Sequence, residues 1–233
     1  MITVLILIIL GVCILAGYYR GVIYSALSIG LTLLSFFLAL LLIPVVANPV
    51  RNTKSLYSSL LYNFEGHEFV SKTSVELIHE PISALDDEML SNVVDNAGLP
   101  LPLDGAIEKN IRREAYASRG ITTIGDYFNQ TIVDVVLNIL SLLFLFVCFR
   151  CLFGFILRMI DYGRQGLPAL KQFDPLFSCG IGFVHGVVLL YIFFLIAPIV
   201  LIIVPPLGRQ LINTSLSGFF YRMNPFMWLV PTV

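Results

Sequence analysis

Four apolar runs with almost no charge in them limit what this chain can fold into. They occupy residues 2–19, 22–47, 132–149 and 176–204. Arg20 is the one charged residue between positions 1 and 50, and residues 176–204 contain no Lys, Arg, Asp or Glu. At 1.5 Å per residue the first run makes roughly 27 Å of helix, just enough to cross a hydrocarbon core. Pro44 and Pro49 mark an end for the second run. The fourth is long enough to tilt, and Pro198 offers a place to kink. Lipid gives the backbone no hydrogen-bond partner, so such runs must be helical. Composition agrees. The chain is 58% hydrophobic and 12% charged, about half the charged share of a soluble domain. One core of 233 residues could not hide that much apolar surface.

The charge sits elsewhere. Residues 48–131 carry seven Lys/Arg and twelve Asp/Glu, a local net charge of 7 − 12 = −5. Their patterning predicts short amphipathic helices: Leu56, Leu60 and Leu61 on one, and Val70, Val75, Leu77 and Ile78 on a second. A third should run from Asp86 to Asn96 and stop at Gly98 and Pro100. Asp104 could N-cap a fourth that ends near Ser118, before Gly120. Thr123-x-x-Asp126 resembles a capping box leading into the third span. No strand or repeat is visible.

The expected fold is therefore an all-α membrane protein. It is a four-transmembrane-helix bundle with an inserted helical extramembrane domain and a C-terminal interfacial helix. Residues 1–47 form a transmembrane hairpin and 48–131 the polar helical domain. Residues 132–206 hold spans three and four with a basic linker, and 207–233 form an interfacial amphipathic tail. The first run lacks a basic n-region and a small-x-small cleavage site, so it reads as a retained span rather than a signal peptide. Leu10-Gly11-Val12-Cys13 has Val12 where a lipoprotein box needs a small residue.

Sites for metals or catalysis find little support. Cys148-Phe-Arg-Cys151 has redox or zinc spacing, yet no second ligand pair lies nearby. Cys13, Cys148, Cys151 and Cys179 read as small hydrophobes in apolar helices. Asp86-Asp87-Glu88 lacks EF-hand spacing and suits the positive end of a helix dipole. His67 and His79 have no matching ligand set. H-E-x-x-H, G-x-S-x-G and paired intramembrane aspartates are all missing. No enzyme activity, cofactor, metal site or nucleic-acid partner is expected.

Polar residues inside the spans are more informative. Ser25, Ser28, Thr32 and Ser35 recur at intervals of 3, 4 and 3 in the second span, on a face extended by Gly21 and Ala39. Gln130, Asp134, Asn138 and Ser141 recur at 4, 4 and 3 in the third. Gly182, His185 and Gly186 share a face of the fourth. Such groups should turn from lipid toward each other, which predicts three faces converging in a bundle centre. Two uses compete. One is packing, with Gly17/Gly21 and Gly182/Gly186 as small-xxx-small contacts, Gly17 and Gly21 drawing spans one and two together. The other is a polar path in which His185 and Asp134 bind or relay an ion or proton. Thr32 and Ser28 are the hydroxyls expected to pair with a neutral His185.

Basic residues set the expected orientation. Arg20, Arg150, Arg158, Arg164 and Lys171 occupy the short turns, and Arg209 and Arg222 follow span four. This places both termini and residues 48–131 outside the cytoplasm. In the tail, Ile212, Leu216, Phe219, Phe220 and Met223 form an apolar stripe. Phe226 and Trp228 suit an interface anchor there, as Arg20 does at the first turn.

The hairpin around Gly17-Tyr18-Tyr19-Arg20-Gly21 and the segment FDPLFSCGIGFVHGVVLL at 173–190 resemble the colicin V production protein (CvpA) family. The likeness covers residues 1–47 and about 130–204, with 48–131 a large insertion and His185 where that family often has a basic residue. The resemblance implies a multi-pass protein of the bacterial inner or plasma membrane that supports toxin production, secretion or envelope homeostasis. It implies no catalytic residues. The partners expected are the lipid bilayer and either further copies of the chain or other envelope and secretion proteins. The alternative function is a small channel or transporter lined by the span-two hydroxyls, Asp134, Asn138 and His185.

Overall fold

A computed structural model describes residues 2–64, 69–70, 76–159, 174–213 and 215–232. The readings on His67, Val75, Arg164 and Lys171 lie outside them. The described residues are helical, with an isolated backbone bridge between Pro81 and Thr123 and no strand. We number the helices α1 Ile2–Arg20, α2 Val22–Asn52, α3 Lys54–Asn63, α4 Asp87–Ala97, α5 Leu103–Arg112, α6 Ile124–Met159, α7 Asp174–Phe193, α8 Ala197–Ile203, α9 Pro205–Asn213 and α10 Ser215–Arg222.

Among the described residues, four segments are long and apolar enough to cross a membrane: Ile2–Arg20, Val22–Asn52, Ile124–Arg158 and Asp174–Ile203. Val12, Leu41, Phe144 and Leu176, one on each, are all more than half exposed. In water each would forfeit about 25 cal/mol per Å² of apolar surface left unburied, whereas lipid accepts them.

Span two does not end at its prolines. Helix α2 continues through Pro44 and Pro49 to Asn52. Each proline removes one N–H from the ladder, a defect that a long apolar helix tolerates when neighbouring groups satisfy the freed carbonyls. Just past the end, the Thr53 hydroxyl donates to the Pro49 carbonyl at 2.8 Å. Span three is also longer than its apolar run. With 31 and 36 residues, α2 and α6 measure about 46 and 54 Å, so each exceeds a ~30 Å hydrocarbon core. Span four breaks near Pro198, as a 3-10 turn at Phe194–Ile196 between α7 and α8.

The chain forms two compact units. The first comprises Met1–Ile43, Leu142–Leu195 and Arg209–Phe226. In it α1 packs closely against α7. A Cβ added at Gly17 would run into the Ser178 carbonyl and lie 3.0 Å from the Gly182 Cα. One added at Gly182 would meet the Cys13 carbonyl, and one at Gly186 the Leu10 and Cys13 side chains. Gly17 therefore packs against span four, not with Gly21 against span two. Gly21 instead makes the turn between α1 and α2, at φ +80, where an L side chain is strained. The tail also departs from the expected stripe. Phe220 is buried, 5.3 Å from the Tyr191 ring and 5.9 Å from that of Phe194. Phe226 packs on Phe36 at 4.4 Å instead of anchoring an interface. Packing takes one side of α10 and leaves Phe219 and Met223 exposed.

The second unit comprises Pro44–Ser141, Ile196–Gly208 and Met227–Val233. It includes the polar insert, the last nine residues of α2 and the first half of α6. Trp228 belongs to it and is 73% exposed. Helix α4 is N-capped by Asp86 and closed by Gly98 in the left-handed conformation. Its Leu90, Val93, Val94 and Ala97 are buried. Helix α5 buries Leu103, Ala106, Ile107, Asn110 and Ile111, one face by spacing. Asp104 is not its N-cap: Pro102 holds that position, and the Asp104 carboxylate accepts the Gly105 N–H. The helix stops at Arg112, and a 3-10 turn at Ala117–Arg119 leads to left-handed Gly120. At Thr123 the cap is one-sided: its hydroxyl accepts the Asp126 N–H at 3.3 Å and donates to the Asp126 carboxylate at 2.7 Å.

The α1–α7 contact can be tested with single methyl groups. Gly182→Ala should lower stability in detergent by about 1–3 kcal/mol, because overpacking outweighs the gain in helix propensity. On the partner helix α1, a Cβ at Gly11 meets nothing within 4 Å, so Gly11→Ala should be neutral or stabilising. Equal shifts in melting temperature would contradict the close approach.

Candidate functional site

In the second unit the buried polar groups converge on Asp134, which is 1% exposed. The 4, 4 and 3 spacing puts Gln130, Asp134, Asn138 and Ser141 on one face of α6, and all four are buried. Arg51, at the end of α2, supplies the countercharge. Its Nε donates to Asp134 Oδ1 at 3.0 Å and its Nη2 to Asn138 Oδ1 at 2.9 Å. The Tyr57 hydroxyl, on α3, donates to the same Asp134 oxygen at 3.1 Å and accepts from the Gln130 amide. Arg119 lies 3.9 Å from the other carboxylate oxygen. Asn138 then donates to the Pro231 carbonyl at 2.8 Å, which ties the C-terminal residues to α6.

A neighbouring buried group extends this network. The Asn110 amide nitrogen lies within hydrogen-bond distance of the Tyr116 hydroxyl, the Thr131 hydroxyl and the Thr232 carbonyl. Burial first, and the Asp134 charge second, push the Tyr57 and Tyr116 phenols well above their ordinary value of 10.0. Both therefore remain hydrogen-bond donors at any physiological pH. A carboxylate held by an arginine and a neutral phenol is an ion pair, not a free base.

The first unit has its own polar contacts. His185 Nε2 lies 3.0 Å from Thr32 Oγ1. Thr32 donates its one proton to the Ser28 carbonyl at 2.8 Å. Its oxygen is thus left to accept, which puts the imidazole proton on Nε2. Ser28 Oγ in turn accepts from Arg150 Nη2 at 2.9 Å, and Ser35 donates to the Leu31 carbonyl at 2.6 Å. The Ser25 hydroxyl, and that of Ser141 in the second unit, are buried and make no hydrogen bond among the described residues. Asp174, at the start of α7, accepts the Val22 N–H that opens α2, at 3.2 Å.

The span-two face bonds to His185 and Arg150, while Asp134 and Asn138 bond to Arg51 and Tyr57. Sequence reasoning missed Arg51, Tyr57 and Asp174. Arg51 carried a readable signal, because Ser35, Ala39, Ile43, Ala47 and Arg51 continue the buried face at steps of four. Reading Pro44 and Pro49 as a helix end hid it. No group of three His, Cys, Asp or Glu among the described residues is placed to hold a metal. Cys148 and Cys151 are exposed. Comparison with known proteins returns no matching family model, no matching curated protein and no matching solved structure.

The Tyr57 bond gives a pH test. Its raised value means that the stability it contributes is complete below pH 10 or so and is lost as pH climbs through the folded value. In an alkaline absorbance titration of the folded protein, Tyr57→Phe should remove one phenol from the component ionising above pH 10. Loss of amplitude from the component near pH 10 would contradict the buried bond to Asp134.

Proposed function

We propose that this chain is a non-enzymatic, multi-pass protein of a bacterial inner or plasma membrane. In this reading it resembles the CvpA proteins in role, supporting toxin production, secretion or envelope maintenance as an oligomeric scaffold. Residues 48–131 face away from the cytoplasm. The observation that supports it is the closure of Asp134: the most buried charge in the described residues is held by Arg51, Tyr57 and, at longer range, Arg119. His185 is likewise engaged by Thr32. Groups so engaged orient helices, and nothing in their chemistry calls for a substrate.

A channel or transporter is the second reading. It draws on the Ser25 and Ser141 hydroxyls, which are buried without a bonding partner among the described residues and could serve water or an ion.

Reconstitution separates the two. On the scaffold reading, proteoliposomes should pass no more proton or ion flux than protein-free vesicles. His185→Gln, which keeps hydrogen-bonding capacity, should fold and sustain secretion or envelope integrity in the native host, and His185→Leu should destabilise the protein. A pH-dependent flux that His185→Gln abolishes without unfolding would reject the scaffold and establish the transporter.

A further inference from the structure

Three guanidinium groups meet in the first unit around a cavity of about 440 Å³. Arg20 ends α1; Arg150 and Arg158 come from α6, eight residues apart and so on one face. Gly154 lies midway between them and lines the cavity with Tyr24, Phe155 and Leu157. A Cβ at Gly154 would already touch Arg150 Nη1 at 3.5 Å, so the missing side chain keeps the space between the arginines open. No Asp or Glu is among the described lining residues, and none of the three arginines has an ion pair with a described carboxylate. Asp174, beside Gly21, does not line the cavity and accepts from Val22 and Ser178 instead.

Two of the arginines are already oriented. Arg150 is half-buried and anchored to Ser28 Oγ through one nitrogen, leaving its other N–H groups to point elsewhere. Arg20 lies over the Tyr24 ring, 5.1 Å from its centroid. Three like charges around one partly apolar space repel each other, and an anion among them relieves that repulsion. Guanidinium forks match phosphate oxygens in number and geometry. The apolar part of the wall, at the ends of membrane-crossing helices, suits the glycerol and upper acyl carbons of a lipid.

We propose that the Arg20, Arg150 and Arg158 cavity binds the phosphate of an anionic phospholipid headgroup. Arg150 and Arg20 grip the phosphate, Arg158 adds charge at the open side, and Gly154 leaves the room it occupies. The site depends on this chain crossing a membrane but on neither functional reading above.

The test uses the full chain, purified and delipidated in detergent, with melting temperature followed as phosphatidylglycerol is added. Wild type should gain stability in a saturable way, while phosphatidylcholine gives no such gain. Arg158→Gln and Gly154→Leu should fold without lipid yet need about tenfold more phosphatidylglycerol for the same shift. Gly154→Leu keeps all three charges and removes only the space, so its failure to respond distinguishes a site from general attraction. Equal responses from wild type and both variants would overturn the proposal. A response that inorganic phosphate reproduces at the same concentration would overturn the lipid assignment and make the cavity a soluble phosphate site.

Discussion

A polar group in hydrocarbon has no water to fall back on, so a buried hydroxyl or charge is costly unless it finds a partner within the protein. The Arg51–Asp134 pair meets that constraint most visibly. Asp134 stands on a long apolar helix, where an unpaired carboxylate would cost several kcal/mol. Arg51, carried past two prolines by the continuation of α2, stands at 3.0 Å from it. Tyr57, Gln130, Asn138 and the Pro231 carbonyl then bond around the pair. One ion pair thereby joins α2, α3, α6 and the C-terminal residues within the second unit.

Among its described residues, the first unit answers the same constraint without an ion pair. Thr32 and Ser35 return their protons to carbonyls one turn earlier, and the freed oxygens of Thr32 and Ser28 receive His185 and Arg150. Close packing does the rest, where α1 and α7 meet at Gly17, Gly182 and Gly186 with backbone almost against backbone. Lipid provides no hydrophobic drive between helices, so this approach depends on dispersion contacts that any added methyl group would disturb.

Faces were legible in the sequence, and so was one pairing, His185 with Thr32; most other partners were not. The 3-4-3 spacing of Ser25, Ser28, Thr32 and Ser35 marks a buried face because helical periodicity is local. A 4-4-3 spacing marks Gln130, Asp134, Asn138 and Ser141 in the same way. Which helix a glycine meets depends on the tertiary arrangement, and so Gly17 was matched with its near neighbour Gly21 instead of with Gly182, far along the chain. Gly21 needed a backbone angle to explain it, and small-residue spacing alone disguised that. Phe220 read as part of an interfacial stripe and Phe226 as an anchor, because an aromatic looks the same in sequence whether it faces lipid or the Tyr191, Phe194 and Phe36 rings. Arg51 was hidden by the ordinary rule that proline ends a helix, which long apolar helices such as α2 break.

The central claim is that charged and polar residues in the long helices hold the protein together. A double-mutant cycle on Arg51 and Asp134, read as unfolding free energy in detergent, tests it most directly. Arg51→Met and Asp134→Leu should each lower stability by about 3–5 kcal/mol, since each strands one buried partner. The double variant should lose much less than the sum of the two, because neither charge is left behind. Small single effects that simply add would contradict the claim and show that the pair is not what holds these helices in place.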